Sequence, residues 1–249
     1  MTDKAKAFHA LHVKGTPLVL WNVWDAGSAK AVAEAGAKAI ATGSWSVAAA
    51  QGFADGEALP LEDVLRAARQ VVGAVDLPVS VDFEGGYAVA PEEMAENLSA
   101  LLETGVIGIN VEDRIVGGKG LHGIDAHAAR LAALRAAADA AGVNLFINAR
   151  TDVFFQGKDA PPAGDLMAEA LERAAAYHAA GASGLFVPGL GDLDLIARMA
   201  EEQALPINVM RMGDKVSVET YAQAGVARIS HGPGPYLAAM KAVTEAALI

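Results

Sequence analysis

The chain repeats one pattern of hydrophobic and polar positions from end to end. A short, β-branched apolar run is followed by a polar or glycine-containing junction and then by an alanine-rich segment with helical spacing. The apolar runs predict eight strands, at residues 18–25, 38–44, 79–84, 108–113, 145–151, 184–188, 207–211 and 228–231. The alanine-rich segments predict helices at residues 26–35, 61–75, 91–103, 126–141, 163–180 and 193–203.

Unbroken alternation of strands and helices predicts a parallel sheet, because each parallel pairing needs a crossover connection. The phrases EAGAKAI, ETGVIGI, AAGASGL and QAGVARI place a glycine between a helix end and the next strand at four points. Open doubly wound sheets commonly have about five or six strands. Eight units in 249 residues therefore favour one closed (β/α)8 barrel domain over residues 1–249.

In such a barrel the chemistry lies at the C-terminal ends of the strands. Asp82 and Glu84 end the third predicted strand on alternate positions, and the period of two predicts that they share a face. Glu112 ends the neighbouring strand. Three acids so close together predict a compensating cation. The other interpretation is that they are solvated strand-end acids, or that they form salt bridges with Arg114 and Arg150.

Composition narrows the kinds of cofactor and of binding partner that the chain can have. The chain has no cysteine, so disulfides and thiolate metal sites are excluded, and oxygen ligands favour Mg²⁺ or Mn²⁺ over zinc. A formal charge of −11 opposes binding to nucleic acid. The N-terminal segment has no apolar core typical of a signal peptide, and no apolar run is long enough for a membrane span. We expect a cytoplasmic protein without nucleic-acid or membrane partners.

Several motifs in the same order resemble the isocitrate lyase and phosphoenolpyruvate mutase superfamily. They are WNVWDAGSAKAVAEAGAKAI, TGSWSVAAAQGFADGE, PVSVDFEGGYA, GINVEDR, INARTD, GLFVPG and PINVM, and they cover most of the chain. The resemblance implies a Mg²⁺-dependent barrel that acts on α-keto or enolpyruvyl carboxylates. Such enzymes make or break C–C or C–P bonds beside an oxyanion intermediate. It also implies a homo-oligomer, a dimer or a tetramer.

The same resemblance assigns the central residues of the site. Asp82, Glu84 and Glu112 match the acidic metal cluster, whose contacts to the ion are partly through water. Arg150 matches the arginine that holds the substrate, and its planar guanidinium suits a carboxylate. The alternative for Arg150 is a structural ion pair with Glu112 or Asp152.

Further candidates surround this centre. Ser44 and Trp45 match the loop that cradles the substrate carboxylate or enolate oxygen, and Asp55 of GFADGE matches an acidic residue of the catalytic machinery. Ser44 is alternatively a small packing residue, and Asp55 part of a surface turn. Asn148 and Asn208 are candidates either to hydrogen-bond substrate oxygens or to bridge neighbouring strand ends.

The sequence departs from the known branches in ways that bear on the reaction. The loop RIVGGKGLHG has Lys119 and His122 but lacks the cysteine of the lyase branches, so cleavage of isocitrate or methylisocitrate through that cysteine is not expected. Pro188 stands where the mutase branch has a histidine, and the second metal acid is Glu84 instead of Asp. We expect a mobile active-site loop around residues 114–124, with Lys119 and His122 either catalytic or solvated without a role.

These observations lead to one principal hypothesis and two alternatives. The principal one is a Mg²⁺-dependent C–C lyase or decarboxylase that acts on a small α-keto carboxylate, such as an oxaloacetate-like substrate, through an enolate. One alternative is a catalytically weakened protein that binds α-keto acids. The other is a C–P bond hydrolase or phosphonomutase.

Overall fold

The computed structural model describes residues 2–155, 157, 161–211 and 213–248. Each predicted strand is present, and the first is divided at Trp21 into two short strands. The strands are β1 (Leu18–Leu20), β2 (Asn22–Val23), β3 (Ile40–Thr42), β4 (Val79–Asp82), β5 (Gly108–Glu112), β6 (Phe146–Arg150), β7 (Gly184–Phe186), β8 (Ile207–Met210) and β9 (Arg228–Ser230). The predicted boundaries extend one to several residues too far, because the junction residues follow the strands.

The strands form one parallel sheet in the order β1-β9-β8-β7-β6-β5-β4-β3-β2. Since β1 and β2 are separated in the chain only by Trp21, the two ends of this order meet and the sheet closes on itself. The registers bring Asp82, Asn110 and Asn148 side by side on β4, β5 and β6. The fold is the predicted (β/α)8 barrel.

Helices lie between the strands and cover the sheet. They are α1 (Thr2–Ala10), α2 (Ala26–Glu34), α3 (Ser44–Ala50), α4 (Leu61–Ala74), α5 (Pro91–Leu102), α6 (Ile124–Ala140), α7 (Ala163–Ala179), α8 (Leu193–Glu202), α9 (Val218–Gln223) and α10 (Gly234–Ala247), with a 3-10 turn at Asp152–Phe154. The six predicted helices are all present. The other four, α1, α3, α9 and α10, are not among the predicted helices.

The four repeated glycine phrases behave as the sequence predicts. Their glycines, Gly36, Gly105, Gly181 and Gly225, all have φ between 80° and 95°. This left-handed conformation ends a helix and turns the chain toward the next strand, and a side chain would disfavour it. The repeated phrase is therefore the local signal that builds the barrel.

A separate apolar cluster closes the N-terminal end of the barrel. Phe8 of α1 is fully buried and packs edge-to-face on Phe146, with ring centroids 5.4 Å apart. His12 stacks on the same ring at 3.9 Å. Because α1 covers this end of the barrel, a site in the barrel mouth lies at the opposite end, where the strands terminate.

The last helix differs from the others in its environment. No residue of α10 is buried, and Leu237, Met240 and Val243 are exposed. The predicted homo-oligomer stays a prediction. None of the helices in the described residues combines the length and the apolar character that a membrane span requires.

Candidate active site

A cavity of about 470 Å³ opens at the C-terminal ends of the strands. Its apolar wall includes Trp45, Phe155, Phe186 and Met210. Its polar lining consists of Asn22, Ser44, Ser46, Asp55, Asp82, Asn110, Arg150, Lys215, Tyr221 and Ser230. A second cavity, of about 610 Å³, lies near Val13 and Trp21 and is lined mainly by apolar residues. The acids and the arginine at the strand ends make the first cavity the candidate active site.

Ser44, Asp55 and Asp82 meet at one edge of this cavity. Asp82 ends β4, and its Oδ2 accepts hydrogen bonds from the Ser44 amide at 3.3 Å and the Ser44 hydroxyl at 3.0 Å. The same hydroxyl lies 3.3 Å from Asp55 Oδ1. Burial and the charge of Asp82 raise the pKa of Asp55. These three residues therefore form one hydrogen-bonded cluster, although they come from two separate motifs.

Glu84 does not follow the strand alternation that the sequence suggested. The strand ends at Asp82, and Glu84 has φ +49°, in the left-handed region. Its carboxylate accepts hydrogen bonds from the Glu57 amide at 2.7 Å and the Tyr87 hydroxyl at 3.1 Å. Burial and the charge of Asp82 raise the pKa of Glu84 to about 7. The prediction that Asp82 and Glu84 share a face relied on strand alternation. That reason was wrong, because the extended backbone stops before Glu84.

Glu112 and Arg150 form an ion pair across adjacent strands, with 2.9 Å between Oε2 and Nη1. Asp152 accepts two further hydrogen bonds from the guanidinium, at 2.6 and 3.0 Å. Burial alone would lower the pKa of Arg150, but the two acids raise it above its ordinary value. Burial raises the pKa of Glu112 to about 8, and Arg150 opposes that shift.

The structural ion pairs of Arg150 do not exclude a role in binding. Arg150 lines the cavity, and the rings of Phe155 and Phe186 lie 5.9 and 5.8 Å from its central carbon. The contacts to Glu112 and Asp152 use three of the five guanidinium N–H groups. Among the described residues, the other two N–H groups have no hydrogen-bond partner, so they remain for a carboxylate ligand.

The three predicted metal acids suit a cation electrostatically. Asp82 lines the cavity, whereas Glu84 and Glu112 do not, and the raised pKa values of the latter two reflect burial and mutual repulsion. Within the described residues, no three histidine, aspartate or glutamate side chains surround one point closely enough to hold an ion directly. Asp82 would therefore hold an ion directly, and Glu84 and Glu112 would contribute their charge through water, as the family resemblance implies. The metal site stays a prediction.

Asn148 and Asn208 lie in the barrel interior and do not line the cavity. Asn148 Nδ2 donates to Asn110 Oδ1 at 2.9 Å and to Asn208 Oδ1 at 3.0 Å. Both side chains are about 1% exposed. The two asparagines therefore bridge neighbouring strands, which is the alternative that the sequence left open. Neither side chain lines the cavity, so nothing in their contacts supports the predicted role in substrate binding.

Lys119 and His122 are not brought to the cavity either. Their loop folds back on itself, with hydrogen bonds from Ile115 N to Gly120 O and from His122 N to Asp113 O. Lys119 is exposed, and the His122 ring faces His127, with 6.4 Å between the centroids. Their catalytic roles, and the mobility of residues 114–124, stay predictions.

Comparison with known proteins agrees with this geometry. The family model described as phosphoenolpyruvate phosphomutase matches residues 8–248. The chain belongs to this family. It is 30% identical to the 2-methylisocitrate lyase of Escherichia coli K12, over 84% of this chain and 70% of that protein.

Two solved structures of the superfamily fold are also similar. One, from Burkholderia cenocepacia J2315 and provisionally described as a phosphonomutase, is 50% identical with a TM-score of 0.95, over 98% of this chain and 97% of that one. A phosphonopyruvate hydrolase solved with oxalate and Mg²⁺ has a TM-score of 0.85 at 22% identity, over 98% and 85% of the two chains. At that identity the likeness shows a shared fold.

Two residues of this family member were missed by the sequence reasoning. Asn110 lines the cavity, and Glu57 uses its amide to hold Glu84 and its carboxylate to accept from the Tyr87 amide at 2.8 Å. A signal for Asn110 was present, since it precedes Glu112 by two residues in a buried strand and so shares its face. Glu57 gave no such signal, because its partners are 27 and 30 residues away.

Proposed function

We propose that this protein is a Mg²⁺-dependent enzyme that cleaves a C–C bond of, or decarboxylates, a small α-keto carboxylate through an enolate. One observation carries the proposal: Asp82 and Arg150 line the same cavity. The Asp82 carboxylate suits a cation, and the Arg150 guanidinium has two N–H groups without a partner among the described residues. The first suits the metal and the second the carboxylate of the substrate. Mn²⁺ is the alternative ion.

Different residues would bind the substrate carboxylate, the oxyanion and the metal. Arg150 would bind the substrate carboxylate with its two remaining N–H groups, and Glu112 and Asp152 keep it in place. Ser44 begins α3, and its amide donates to Asp82. The later amides of the first turn, which have no acceptor within the helix, would be available to an oxyanion. The metal, held by Asp82 with Glu84 and Glu112 through water, would neutralise charge on the enolate oxygen.

Asp55 is the group best placed to handle a proton. It lines the cavity, and its raised pKa favours a carboxyl that can donate. In decarboxylation of an oxo-dicarboxylate, the C–C bond to the leaving carboxylate breaks, CO₂ departs and the electron pair moves to the enolate oxygen. Asp55 would then deliver a proton to the enolate carbon. This replaces the cysteine that the chain lacks.

A C–P bond hydrolase or phosphonomutase is the second candidate. The 50% identical structure carries a provisional phosphonomutase description, and the more distant phosphonopyruvate hydrolase shares the fold. Lys215 also lines the cavity and would add a positive charge for a phosphonate group. A phosphonate substrate belongs in the same assay for this reason.

The experiment is a substrate panel with and without Mg²⁺. We expect release of pyruvate or CO₂ from an oxo-dicarboxylate, loss of that activity with EDTA, and its loss in Asp82→Asn. Phosphate release from phosphonopyruvate would instead support C–P chemistry. Oxalate, a planar mimic of the pyruvate enolate, serves as a binding probe in calorimetry. Mg²⁺-dependent oxalate binding without turnover would support the keto-acid-binding protein, and absence of both would remove the proposal.

A further inference from the structure

Arg228 is a fully buried cation that the proposed chemistry does not use. It lies in the barrel interior with 1% of its surface exposed, and burial lowers its pKa to about 9, with Asp82 opposing the shift. Within the described residues, its Nε and Nη1 have no hydrogen-bond partner. Its Nη2 donates to Asn110 Oδ1 at 3.1 Å. Burial of a charge costs free energy, so the one hydrogen bond of the Arg228 side chain, to Asn110, indicates what the residue does.

Asn110 connects this interior to the cavity. It is 3% exposed and lines the cavity from β5, next to Asp82 in the strand register. Its Oδ1 accepts from Arg228 and also from Asn148 Nδ2. Because a guanidinium only donates, the oxygen of the Asn110 amide must face the interior, and its NH₂ group must be turned away from Arg228.

The Asn110 NH₂ group is left without a protein partner. In the part of the chain that the structure describes, Asn110 Nδ2 donates no hydrogen bond. It is also not one of the fully buried side-chain atoms that lack a partner. The backbone carbonyl oxygen of Arg228 accepts from Asn208 Nδ2 at 3.2 Å and orients the other end of the amide row, independently of the arginine side chain. Asn208 Oδ1 in turn accepts from Asn148. The free donor therefore has a fixed orientation.

We propose that Asn110 donates a hydrogen bond to an oxygen of the bound carboxylate ligand, and that Arg228 is the positioning residue that holds the Asn110 amide for it. The inference rests on the proposed function, since it assumes a small carboxylate in this cavity. A preoriented donor in a site shielded from water stabilises an oxyanion without reorganisation.

The first experiment titrates oxalate with Mg²⁺ present into wild type and Asn110→Asp. The substitution keeps the shape and replaces the donor by an acceptor. At pH 8 we expect oxalate to bind at least about tenfold more weakly, as for a lost hydrogen bond to a charged group with added repulsion. Asn110→Ser, which retains a small donor, should bind oxalate more tightly than Asn110→Ala, which has none. A purely structural role predicts no such difference.

The second experiment tests whether Arg228 acts through Asn110. Arg228→Met should weaken oxalate binding about three- to tenfold, and Arg228→Lys, which keeps a donor, should weaken it less. In an Asn110→Ala background, Arg228→Met should have no further effect. Ser80→Ala removes another interior group, a buried hydroxyl without a partner, and should bind oxalate as wild type does. Asn110→Ala, which removes the donor without adding a charge, replaces Asn110→Asp if the latter does not fold.

The outcomes separate this inference from the proposed function. If wild type does not bind oxalate with Mg²⁺, both are overturned. If wild type binds and Asn110→Asp or Asn110→Ala binds equally well at pH 8, only the Asn110 assignment fails. If the effects of Arg228→Met and Asn110→Ala add, Arg228 is not the positioning residue.

Discussion

Arg150 Nη1 lies 2.9 Å from Glu112 Oε2, and the two residues are direct partners in the register of β5 and β6. The arginine predicted to bind substrate is thus tied to an acid predicted to serve the metal. Any ligand that engages Arg150 changes the surroundings of Glu112, and any cation near Glu112 competes with Arg150 for its charge. Binding of the metal and binding of the carboxylate should therefore be coupled.

Glu112→Gln tests this coupling. The amide keeps the shape but removes the charge that holds Arg150 and attracts the ion, so we expect Mg²⁺-dependent oxalate binding to weaken about tenfold or more. The free energy of unfolding at pH 8 should stay equal or rise, because the buried carboxyl has a pKa of about 8 and is costly to ionise. Calorimetry and urea denaturation measure the two effects. Glu96→Gln, on the exposed face of α5, is the matched control. Unchanged oxalate affinity in Glu112→Gln would contradict the coupling.

The affinity for Mg²⁺ should depend on pH. Glu84 and Glu112, with pKa values of about 7 and 8, hold their protons below those values, so the affinity should rise as the pH increases through this range. The Tyr87 hydroxyl lowers the pKa of Glu84, and Tyr87→Phe should therefore move the midpoint to higher pH. Titration of Mg²⁺ between pH 6 and pH 9 measures it. A midpoint that moves to lower pH would show that the hydroxyl does not stabilise the carboxylate.

Gly86 should tolerate no side chain. Its φ is +84°, and an added Cβ would lie 2.5 Å from Met94 Cε. Gly36 has φ +92° with nothing within 4 Å of an added Cβ, so Gly36→Ala isolates the backbone cost, about 1 kcal/mol. Gly86→Ala should cost about 1 to 3 kcal/mol more, since Met94 is fully buried and cannot move freely. Urea denaturation of both variants gives the difference. Equal costs would mean that Met94 repacks.

His12 should make stability depend on pH below neutrality. Burial, with a smaller contribution from Arg228, lowers its pKa to about 3, so the unfolded chain takes up a proton near pH 6.5 that the folded chain does not. This stability is present above pH 6.5 and is lost as the pH falls, by about 2 kcal/mol at pH 5. The raised pKa values of Glu84 and Glu112 act in the opposite sense, equally in wild type and in a His12 variant.

The comparison between variants isolates the effect of His12. From pH 7 to pH 5, His12→Gln should lose less stability than wild type by about that amount. His178→Gln, at an exposed position of α7, should follow wild type. Urea denaturation at the two pH values is the measurement, and parallel losses in all three proteins would show that His12 titrates normally.

The sequence by itself determined the barrel and the location of the site. The periodicity of apolar runs predicted each strand, and four glycines in repeated phrases predicted the helix ends, because these are local preferences of the backbone. The rule that chemistry lies at strand ends then brought Ser44, Asp82 and Arg150 to one region, and the family resemblance added Asp55. All four line the cavity.

Only the tertiary structure decided how the side chains around that cavity are oriented. Glu84 leaves the strand geometry because it is held by Glu57, 27 residues away. Lys119 and His122 follow the folding of their own loop, away from the cavity. The orientation of Asn110 depends on Arg228, 118 residues along the chain. Local periodicity reports which residues face the core, but hydrogen bonds and ion pairs between distant segments set where each polar atom points.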